Sequence, residues 1–180
     1  MNPNSKNILL ISGSGRNVGK TSFICRVIER TADQKLNAIK ITPHFHEPTP
    51  GLVAISLNAN FRVFRETNSN SGKDSCLFLK SGAEKVFYIQ TTDQFLEEAF
   101  SIAISVCNPN LPIIIESAAL RKFITPGLYL FIQKKNEEVK PSALEMQKMA
   151  DATVFSNGAE FSLNPKSIIF NQTWKINDIA

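Results

Sequence analysis

Residues 8–21 read Ile-Leu-Leu-Ile-Ser-Gly-Ser-Gly-Arg-Asn-Val-Gly-Lys-Thr, and no other segment of the chain constrains its architecture as strongly. The first four residues form an apolar run that predicts a buried β-strand. Glycines then interrupt the strand, and apolar residues follow at the spacing of one helix face: Phe23, Ile24, Val27 and Ile28. The stretch therefore predicts a strand, a glycine-rich turn and a helix in immediate succession.

The turn ends in Gly19-Lys20-Thr21, which is the pattern of a P-loop. In such a loop, backbone amides and the helix N-terminus bind phosphate oxygens, the lysine reaches the β- and γ-phosphates, and the threonine hydroxyl holds Mg²⁺. The alternative is an ordinary glycine-rich turn, but the strand before it and the helix after it favour the P-loop. The predicted nucleotide ligands in the loop are Gly13, Gly15, Asn17, Val18, Gly19, Lys20, Thr21 and Ser22.

The glycine spacing of this loop departs from the usual pattern. The strict motif places a glycine at position 14, where this chain has Ser14, and Gly13 lies one residue earlier. The loop is therefore Gly-x5-Gly-Lys-Thr. It is not the Gly-x-Gly-x-x-Gly fingerprint of dinucleotide binding, because Val18 occupies the position of the last glycine.

The composition is that of a globular protein: 180 residues, 43% hydrophobic and 20% charged. The net charge of +4 is spread without a basic block, so we expect no nucleic-acid partner. The three cysteines lack Cys-x-x-Cys spacing, which argues against a disulfide framework or a thiolate zinc site. We see no signal peptide or membrane-length apolar run and therefore expect a cytoplasmic protein with no membrane partner.

The rest of the chain alternates between predicted strands and helices. Strands are expected at 36–41, 85–90, 112–115, 128–132, 152–155 and 167–170, the last being the final strand, and helices at 73–80 and 143–150. Thr91-x-x-Gln94 is a candidate capping box for a further helix, which carries Phe95, Ala99 and Phe100 on its apolar face. Apolar strands separated by helices indicate a three-layer α/β P-loop NTPase domain with a mostly parallel sheet.

We expect residues 1–180 to form a single nucleotide-binding domain with an irregular insertion at about 42–73. Within the insertion, residues 52–57 and 61–67 are candidates for a β-hairpin around Asn58-Ala59-Asn60. A long excursion of this kind in a compact domain is usually functional or partly disordered.

A Mg²⁺–nucleotide site needs a carboxylate besides the loop threonine, usually at the end of a neighbouring buried strand. Glu116 directly follows three isoleucines and fits this role, although a strand-end glutamate can also simply face solvent. Asp74 and Glu47 are rivals that are less well placed in the sequence. We therefore predict Lys20 and Glu116 as catalytic residues, and Thr21 and Glu116 as metal ligands.

Other polar residues have two interpretations each. Gly72-Lys73-Asp74-Ser75 is either a helix cap or a lid that carries Lys73 or Asp74 to the phosphates. Asn157 lies where P-loop proteins often place a base-binding loop, but Asn-Gly is also a strong turn signal. Arg16 and Arg121 are further candidates for anion contacts or are plain surface arginines. His44 and His46 are a weak metal pair without a third partner, and a role in a substrate loop, or none, is the preferred interpretation.

Several of these segments together resemble the molybdopterin-guanine dinucleotide biosynthesis adaptor (MobB) family. The resemblance rests on Gly19-Lys20-Thr21, on Ala38-Ile39-Lys40 with His44 just after it, and above all on residues 72–75 with 81–86. It implies a P-loop fold, GTP and Mg²⁺ binding, a homodimer, and assistance to an enzyme of molybdenum cofactor maturation. The chain departs from the family in its longer loop and in the sequence after Glu116.

The loop Gly-x5-Gly-Lys-Thr also resembles that of dethiobiotin synthetase and related ATP-dependent enzymes. Three functions follow from the sequence. The first is a Mg²⁺-dependent GTP-binding accessory protein with slow hydrolysis, the second is an enzyme that uses ATP to activate a small carboxylate, and the third is a nucleotide-binding module without turnover.

Overall fold

The computed structural model describes residues 5–177. Its strands, in chain order, are β1 Ser5–Gly13, β2 Asn37–Thr42, β3 Leu52–Leu57, β4 Phe61–Glu66, β5 Lys85–Thr91, β6 Ile113–Glu116, β7 Pro126–Lys134, β8 Ala152–Ser156, β9 Ile168–Asn171 and β10 Thr173–Ile176. Its α-helices are α1 Lys20–Thr31, α2 Asp74–Lys80, α3 Leu96–Ser105 and α4 Pro141–Lys148.

Eight strands form one sheet in the order β3-β4-β5-β2-β6-β1-β7-β8. The strands from β5 to β8 in this order run parallel to their neighbours, whereas β4 is antiparallel to β5, and β3 is antiparallel to β4. The carboxyl ends of β1, β2 and β6 therefore meet at one edge of the sheet. The predicted α/β fold with a mostly parallel sheet is confirmed.

The sheet is apolar on both faces, as the continuous hydrophobic runs require. In β1, Leu9 and Ile11 belong to a buried cluster that includes α1, while Ile8 and Leu10 belong to a second cluster that includes α3. The alternation of side chains along one strand thus supplies two cores, one on each face of the sheet. This arrangement gives the three layers that the sequence predicts.

The segment 42–73 is more regular than expected. The hairpin prediction is confirmed, because β3 and β4 pair antiparallel and β4 joins the main sheet beside β5. Asn58 closes the connection by accepting hydrogen bonds at its side-chain oxygen from the backbone amides of Asn60 and Phe61, both at 2.8 Å.

Two local predictions are wrong. Thr91 does not cap a helix: it ends β5, paired with Phe61, and a 3-10 turn at Asp93–Phe95 precedes α3. The segment 167–170 is not the final strand either, because β9 pairs with β10 in a separate two-stranded sheet. Trp174 of β10 is buried there and donates a hydrogen bond from Nε1 to the carbonyl oxygen of Asn7 at 2.8 Å.

Within residues 5–177, no helix has both the length and the apolar character needed to cross a bilayer. The eight-stranded sheet takes all its strands from residues 5–156. That the whole chain folds as a single domain stays a prediction.

Candidate phosphate and metal site

The predicted loop is a sharp turn between β1 and α1. The amide of Ser14 donates to the carbonyl oxygen of Ile132 at 2.9 Å, which continues the pairing of β1 with β7. Asn17 and Gly19 then adopt left-handed backbone conformations, with φ of 58° and 96°. No side chain caps α1 at Gly19, so the first amides of the helix remain available for phosphate oxygens.

Close packing explains two of the loop glycines. A Cβ atom on Gly13 would lie 2.5 Å from the carbonyl oxygen of Ile132, and one on Gly19 would lie 3.0 Å from both the ring of Phe161 and the hydroxyl of Ser156. The left-handed φ of Gly19 also disfavours any side chain. The loop is therefore held between the ends of β7 and β8.

Lys20 lies across this loop and not away from it. Its ammonium group donates a hydrogen bond to the carbonyl oxygen of Gly15 at 2.6 Å. Burial lowers the pKa of Lys20, while the nearby carboxylate of Glu116 acts in the opposite direction. The ammonium group thus lies at the mouth of the loop, where the terminal phosphates of a nucleotide are expected.

Thr21 lies beside two carboxylates. Its hydroxyl oxygen is 3.0 Å from Oδ1 of Asp74 and 3.4 Å from Oε2 of Glu116. Glu116 reaches this point from the end of β6, directly across from Ile11 of β1 in the sheet register. Asp74 reaches it as the first residue of α2.

Lys40 bridges the outer oxygens of the same two carboxylates. Its ammonium nitrogen is 2.7 Å from Oδ2 of Asp74 and 2.6 Å from Oε1 of Glu116. This geometry follows from the sheet, because Lys40 in β2 is directly opposite Glu116 in β6. The side chain of Glu116 is only 4% exposed, compared with 16% for Lys40 and 39% for Asp74.

The ion pair between Lys40 and Asp74 shifts the pKa values of both groups. Burial alone would lower the pKa of Lys40, but the charges of Glu116 and Asp74 outweigh it and raise that pKa. Burial would raise the pKa of Asp74, but the ammonium of Lys40 and the hydroxyl of Thr21 lower it. Both shifts favour the charged form, the ammonium of Lys40 and the carboxylate of Asp74.

The donor set fits Mg²⁺. A hydroxyl and two carboxylates are hard oxygen ligands. The ammonium of Lys40 shows that a positive charge fits between the two carboxylates. Within residues 5–177, no three His, Cys, Asp or Glu side chains converge on one point. Mg²⁺ usually takes one or two carboxylates and completes its shell with water and phosphate oxygens, and Asp74 and Glu116 supply two carboxylates beside Thr21.

Space for ligands adjoins the cluster on two sides. A cavity of about 940 Å³ extends from the start of α1 past Asp74 to Lys73, His46 and Tyr88. A second cavity of about 590 Å³ lies against the outer side of the loop and reaches Glu137 and Lys140. Both cavities are lined by the same central residues: Arg16, Lys20, Lys40, Thr42 and Glu116.

A buried glutamate anchors the helix that carries Asp74. Glu66, at the end of β4, is 2% exposed and accepts hydrogen bonds at Oε2 from the Ser75 hydroxyl at 2.8 Å and the Cys76 thiol at 3.2 Å. Its other oxygen accepts from the backbone amides of Thr67 and Asn68 at 3.1 and 2.9 Å. The hairpin inside segment 42–73 thereby fixes the start of α2 next to the loop.

The structure brings together most of the residues predicted from the loop. Gly13, Gly15, Asn17, Gly19, Lys20, Thr21, Ser22 and Glu116 all line one or both cavities. Val18 lines the outer cavity, but its side chain is buried in the core, so only its backbone is available to a nucleotide. Glu47 also lines the larger cavity, but in the part of the chain that the structure describes the carboxylates that meet the Thr21 hydroxyl are those of Asp74 and Glu116.

Asn157 does not join the site. Its side-chain oxygen accepts hydrogen bonds from the amides of Ala159 and Glu160 at 3.0 and 2.8 Å, and its amide group donates to the Glu160 carboxylate at 3.2 Å. It lines neither cavity. Asn157 therefore closes a turn, as the alternative interpretation of its Asn-Gly sequence predicts, and we withdraw it as a nucleotide ligand.

Within residues 5–177, the other candidates, the two histidines and Arg121, show no sign of a metal or anion site. His44 contacts the guanidinium of Arg16 at 3.0 Å, and no third metal ligand joins His44 and His46 within the described chain. Arg121 donates to the carbonyl oxygen of Ile124 at 3.0 Å, which is a local structural contact.

Asp74 and Lys40 both join the site, although Asp74 was a lesser candidate in the sequence and Lys40 had no predicted site role. Asp74 is closer to Thr21 than Glu116 is, and its signal was the Gly-Lys-Asp-Ser turn at the start of a helix. The signal for Lys40 was a charged residue within the apolar strand Ala38-Ile39-Lys40-Ile41.

Comparison with known proteins supports the fold. No protein-family model matches the chain, and no curated protein does. Among solved structures, the chain is similar to LpxK from Aquifex aeolicus, crystallised as an "apo" form in complex with ATP, with a TM-score of 0.52 and 15% sequence identity. The alignment covers 91% of this chain and 51% of LpxK, so the chain spans about half the length of that protein.

This similarity shows that the two proteins share an α/β fold, which in this chain has a mostly parallel sheet flanked by helices. None of the comparisons supports the more specific resemblance to the MobB family.

Proposed function

We propose that the chain binds a Mg²⁺–nucleoside triphosphate at the loop formed by residues 13–21. One observation carries the proposal: Lys20 and the hydroxyl of Thr21 converge with two carboxylates, Asp74 and Glu116, beside a cavity of about 940 Å³. A P-loop lysine and a metal held by the threonine are what a triphosphate requires.

The same geometry supports chemistry at the γ-phosphate. Mg²⁺ would be held by Thr21, Asp74 and Glu116, and it would supply charge neutralisation for the transferred phosphoryl group. Loop amides and the ammonium of Lys20 are positioned to stabilise the same developing charge. Catalysis would consist of positioning and electrostatics, with no covalent step on the protein.

The identity of the nucleotide and the reaction are finer proposals. The resemblance to the MobB family supports GTP, slow hydrolysis, and an accessory role toward an enzyme of molybdenum cofactor maturation or a similar pathway. It also supports a homodimer, which light scattering of the purified protein would test. These proposals rest on the residues that carry the resemblance.

A second candidate is an ATP-dependent enzyme that activates a small carboxylate. The larger cavity favours it, because that cavity continues beyond the loop to Lys73, His46 and Tyr88 and leaves room for a second ligand. Lys73, a cationic group at that end, suits a carboxylate.

The deciding experiment is calorimetric titration with GTP, ATP and their non-hydrolysable analogues, each with and without Mg²⁺. We expect Mg²⁺-dependent binding of at least one triphosphate. GTP preference supports the accessory role, ATP preference supports the carboxylate-activating enzyme, and binding of hydrolysable nucleotide without turnover supports an interaction module. Failure of every triphosphate to bind would refute the proposed function.

A further inference from the structure

The ammonium of Lys40 lies between the two carboxylates of the site, where a metal ion would be held. Each carboxylate directs one oxygen to the Thr21 hydroxyl and the other to the ammonium of Lys40. Within residues 5–177, Asp74 and Glu116 form ion pairs with Lys40 and with no other side chain. The acidic pair therefore has an internal counterion before any ligand arrives.

The charges of the cluster balance without a metal. Lys20 and Lys40 contribute two positive charges, and Asp74 and Glu116 contribute two negative ones. A divalent cation added alone would lie within a few ångströms of an ammonium group in a half-buried site, where like charges repel strongly. A nucleoside triphosphate changes this balance, because its phosphates carry enough negative charge to take both the metal and the displaced ammonium.

We propose that Lys40 is the resident cation of the metal site, so that a divalent metal binds only together with the nucleotide. When Mg²⁺ and the triphosphate bind, the carboxylates transfer from Lys40 to the metal, and the ammonium of Lys40 moves to a phosphate oxygen. The inference rests on the proposed function, and it adds an order of binding that the loop motif does not predict.

Lys73 provides a matched control for Lys40. It is also a lysine, it lines the same cavity, and it immediately precedes Asp74, yet it forms no ion pair with Asp74 or Glu116 in the part of the chain that the structure describes. Replacing either lysine with methionine removes one positive charge from the cavity. Only the Lys40 variant removes the counterion from between the carboxylates.

The experiment is a titration with Mn²⁺, followed by the loss of the free-ion electron paramagnetic resonance signal, in protein without nucleotide. We expect weak binding to the wild type and to Lys73→Met, and binding tighter by at least roughly tenfold to Lys40→Met. In the double variant Lys40→Met/Asp74→Asn, this gain should be lost, because the metal uses the carboxylate of Asp74. A gain in Lys73→Met equal to that in Lys40→Met, or no gain in Lys40→Met, would overturn the proposal.

A second measurement uses the wild type alone and does not depend on whether the variants fold. Mn²⁺ binding to the protein should tighten at least roughly tenfold when a non-hydrolysable triphosphate is added, after the Mn²⁺ that the same triphosphate binds in protein-free solution has been subtracted. Equal Mn²⁺ affinity with and without the triphosphate, in protein that calorimetry shows to bind the triphosphate, would also overturn the proposal. If no triphosphate binds, the proposed function fails, whereas the nucleotide-free comparison of Lys40→Met with Lys73→Met still reports on Lys40.

Discussion

Two lysines reach the candidate phosphate site from different elements, and their surroundings differ. Lys20 lies across the loop with a carbonyl oxygen as its partner, so its charge is available to an incoming phosphate. Lys40 is held by two carboxylates at 2.6 and 2.7 Å. An ammonium in the first setting binds phosphate directly, whereas one in the second setting must first be released from its ion pairs.

The first prediction concerns Lys20. Lys20→Ala should weaken triphosphate binding at least tenfold, on the order of 1.4 kcal/mol, because it removes the side chain that we propose as the partner of the terminal phosphates. Calorimetric titration of both proteins measures the change. Lys148→Ala, on the exposed side of α4, is the control and should bind like the wild type. Equal affinity in Lys20→Ala and the wild type would contradict the assignment of the loop.

The second prediction concerns Glu116. Glu116→Gln keeps the shape of the side chain but removes its charge, so it should leave nucleotide binding largely intact and lower Mg²⁺-dependent turnover. Because Glu116 is a proposed ligand of the metal, the loss should shrink at saturating Mg²⁺. Phosphate release at several Mg²⁺ concentrations measures this effect, with the exposed Glu97→Gln as control. Unchanged turnover at every Mg²⁺ concentration would remove Glu116 from the site.

At the scale of elements, the strand-to-helix turn depends on backbone packing as much as on its charged residues. Gly13 and Gly15 are two residues apart but have different surroundings. A Cβ on Gly13 would lie 2.5 Å from the carbonyl oxygen of Ile132 and 3.0 Å from Val18, whereas a Cβ on Gly15 would meet no atom within 4 Å.

The third prediction uses this pair. Gly13→Ala should destabilise the protein by about 1–3 kcal/mol, because the new methyl group forces β7 away from the loop. Gly15→Ala makes the same chemical change in open space and should alter stability by less than about 1 kcal/mol. Urea unfolding of the two variants measures the difference. Equal destabilisation by both would show that the loop is packed differently from the structure.

The order of strands decides which side chains meet. β6 lies between β1 and β2, so Glu116 has Ile11 on one side and Lys40 on the other. The hairpin β3–β4 extends the same sheet and carries Glu66, which holds the start of α2 and therefore Asp74. An insertion that could have been a loose lid instead forms part of the scaffold of the site.

At the scale of the whole molecule, burial on both faces of the sheet leaves ionisable groups in apolar surroundings. Cys107, after α3, is buried in the core cluster on that face. Burial raises the pKa of its thiol from 9.0 to about 11, and the positive charge of Lys85 only partly opposes this. The unfolded chain loses this proton near pH 9, while the folded protein keeps it until about pH 11.

The fourth prediction follows from the sign of this shift. Because the folded state binds the proton more tightly, the stabilisation is fully present below pH 9 and is lost as the pH rises to 11. Between these values, the wild type should lose about 2–3 kcal/mol more unfolding free energy than Cys107→Ala does. Urea unfolding at pH 8, 9, 10 and 11 measures both proteins. Parallel pH profiles for the two would contradict the buried position of the thiol.

The local sequence by itself determined the P-loop, the α/β class and the candidate pair Lys20 and Thr21. These features depend on neighbours in the chain: an apolar run, glycines that permit a tight turn, and the amides at the start of a helix. The strand ending in Glu116 was also predictable, because three consecutive isoleucines followed by an acid identify a buried strand with a polar end.

Only the tertiary structure decided that Lys40, Asp74 and Glu116 form one charged cluster and that Asn157 lies outside it. These residues are distant in sequence, and their meeting depends on strand order, on sheet register and on the anchoring of α2 by Glu66. Local patterns cannot supply this information, because the energy that selects one strand order comes from burying both faces of the whole sheet. The turn at Asn157, by contrast, uses its side-chain oxygen to satisfy the backbone amides of Ala159 and Glu160, and Asn157 lines neither cavity.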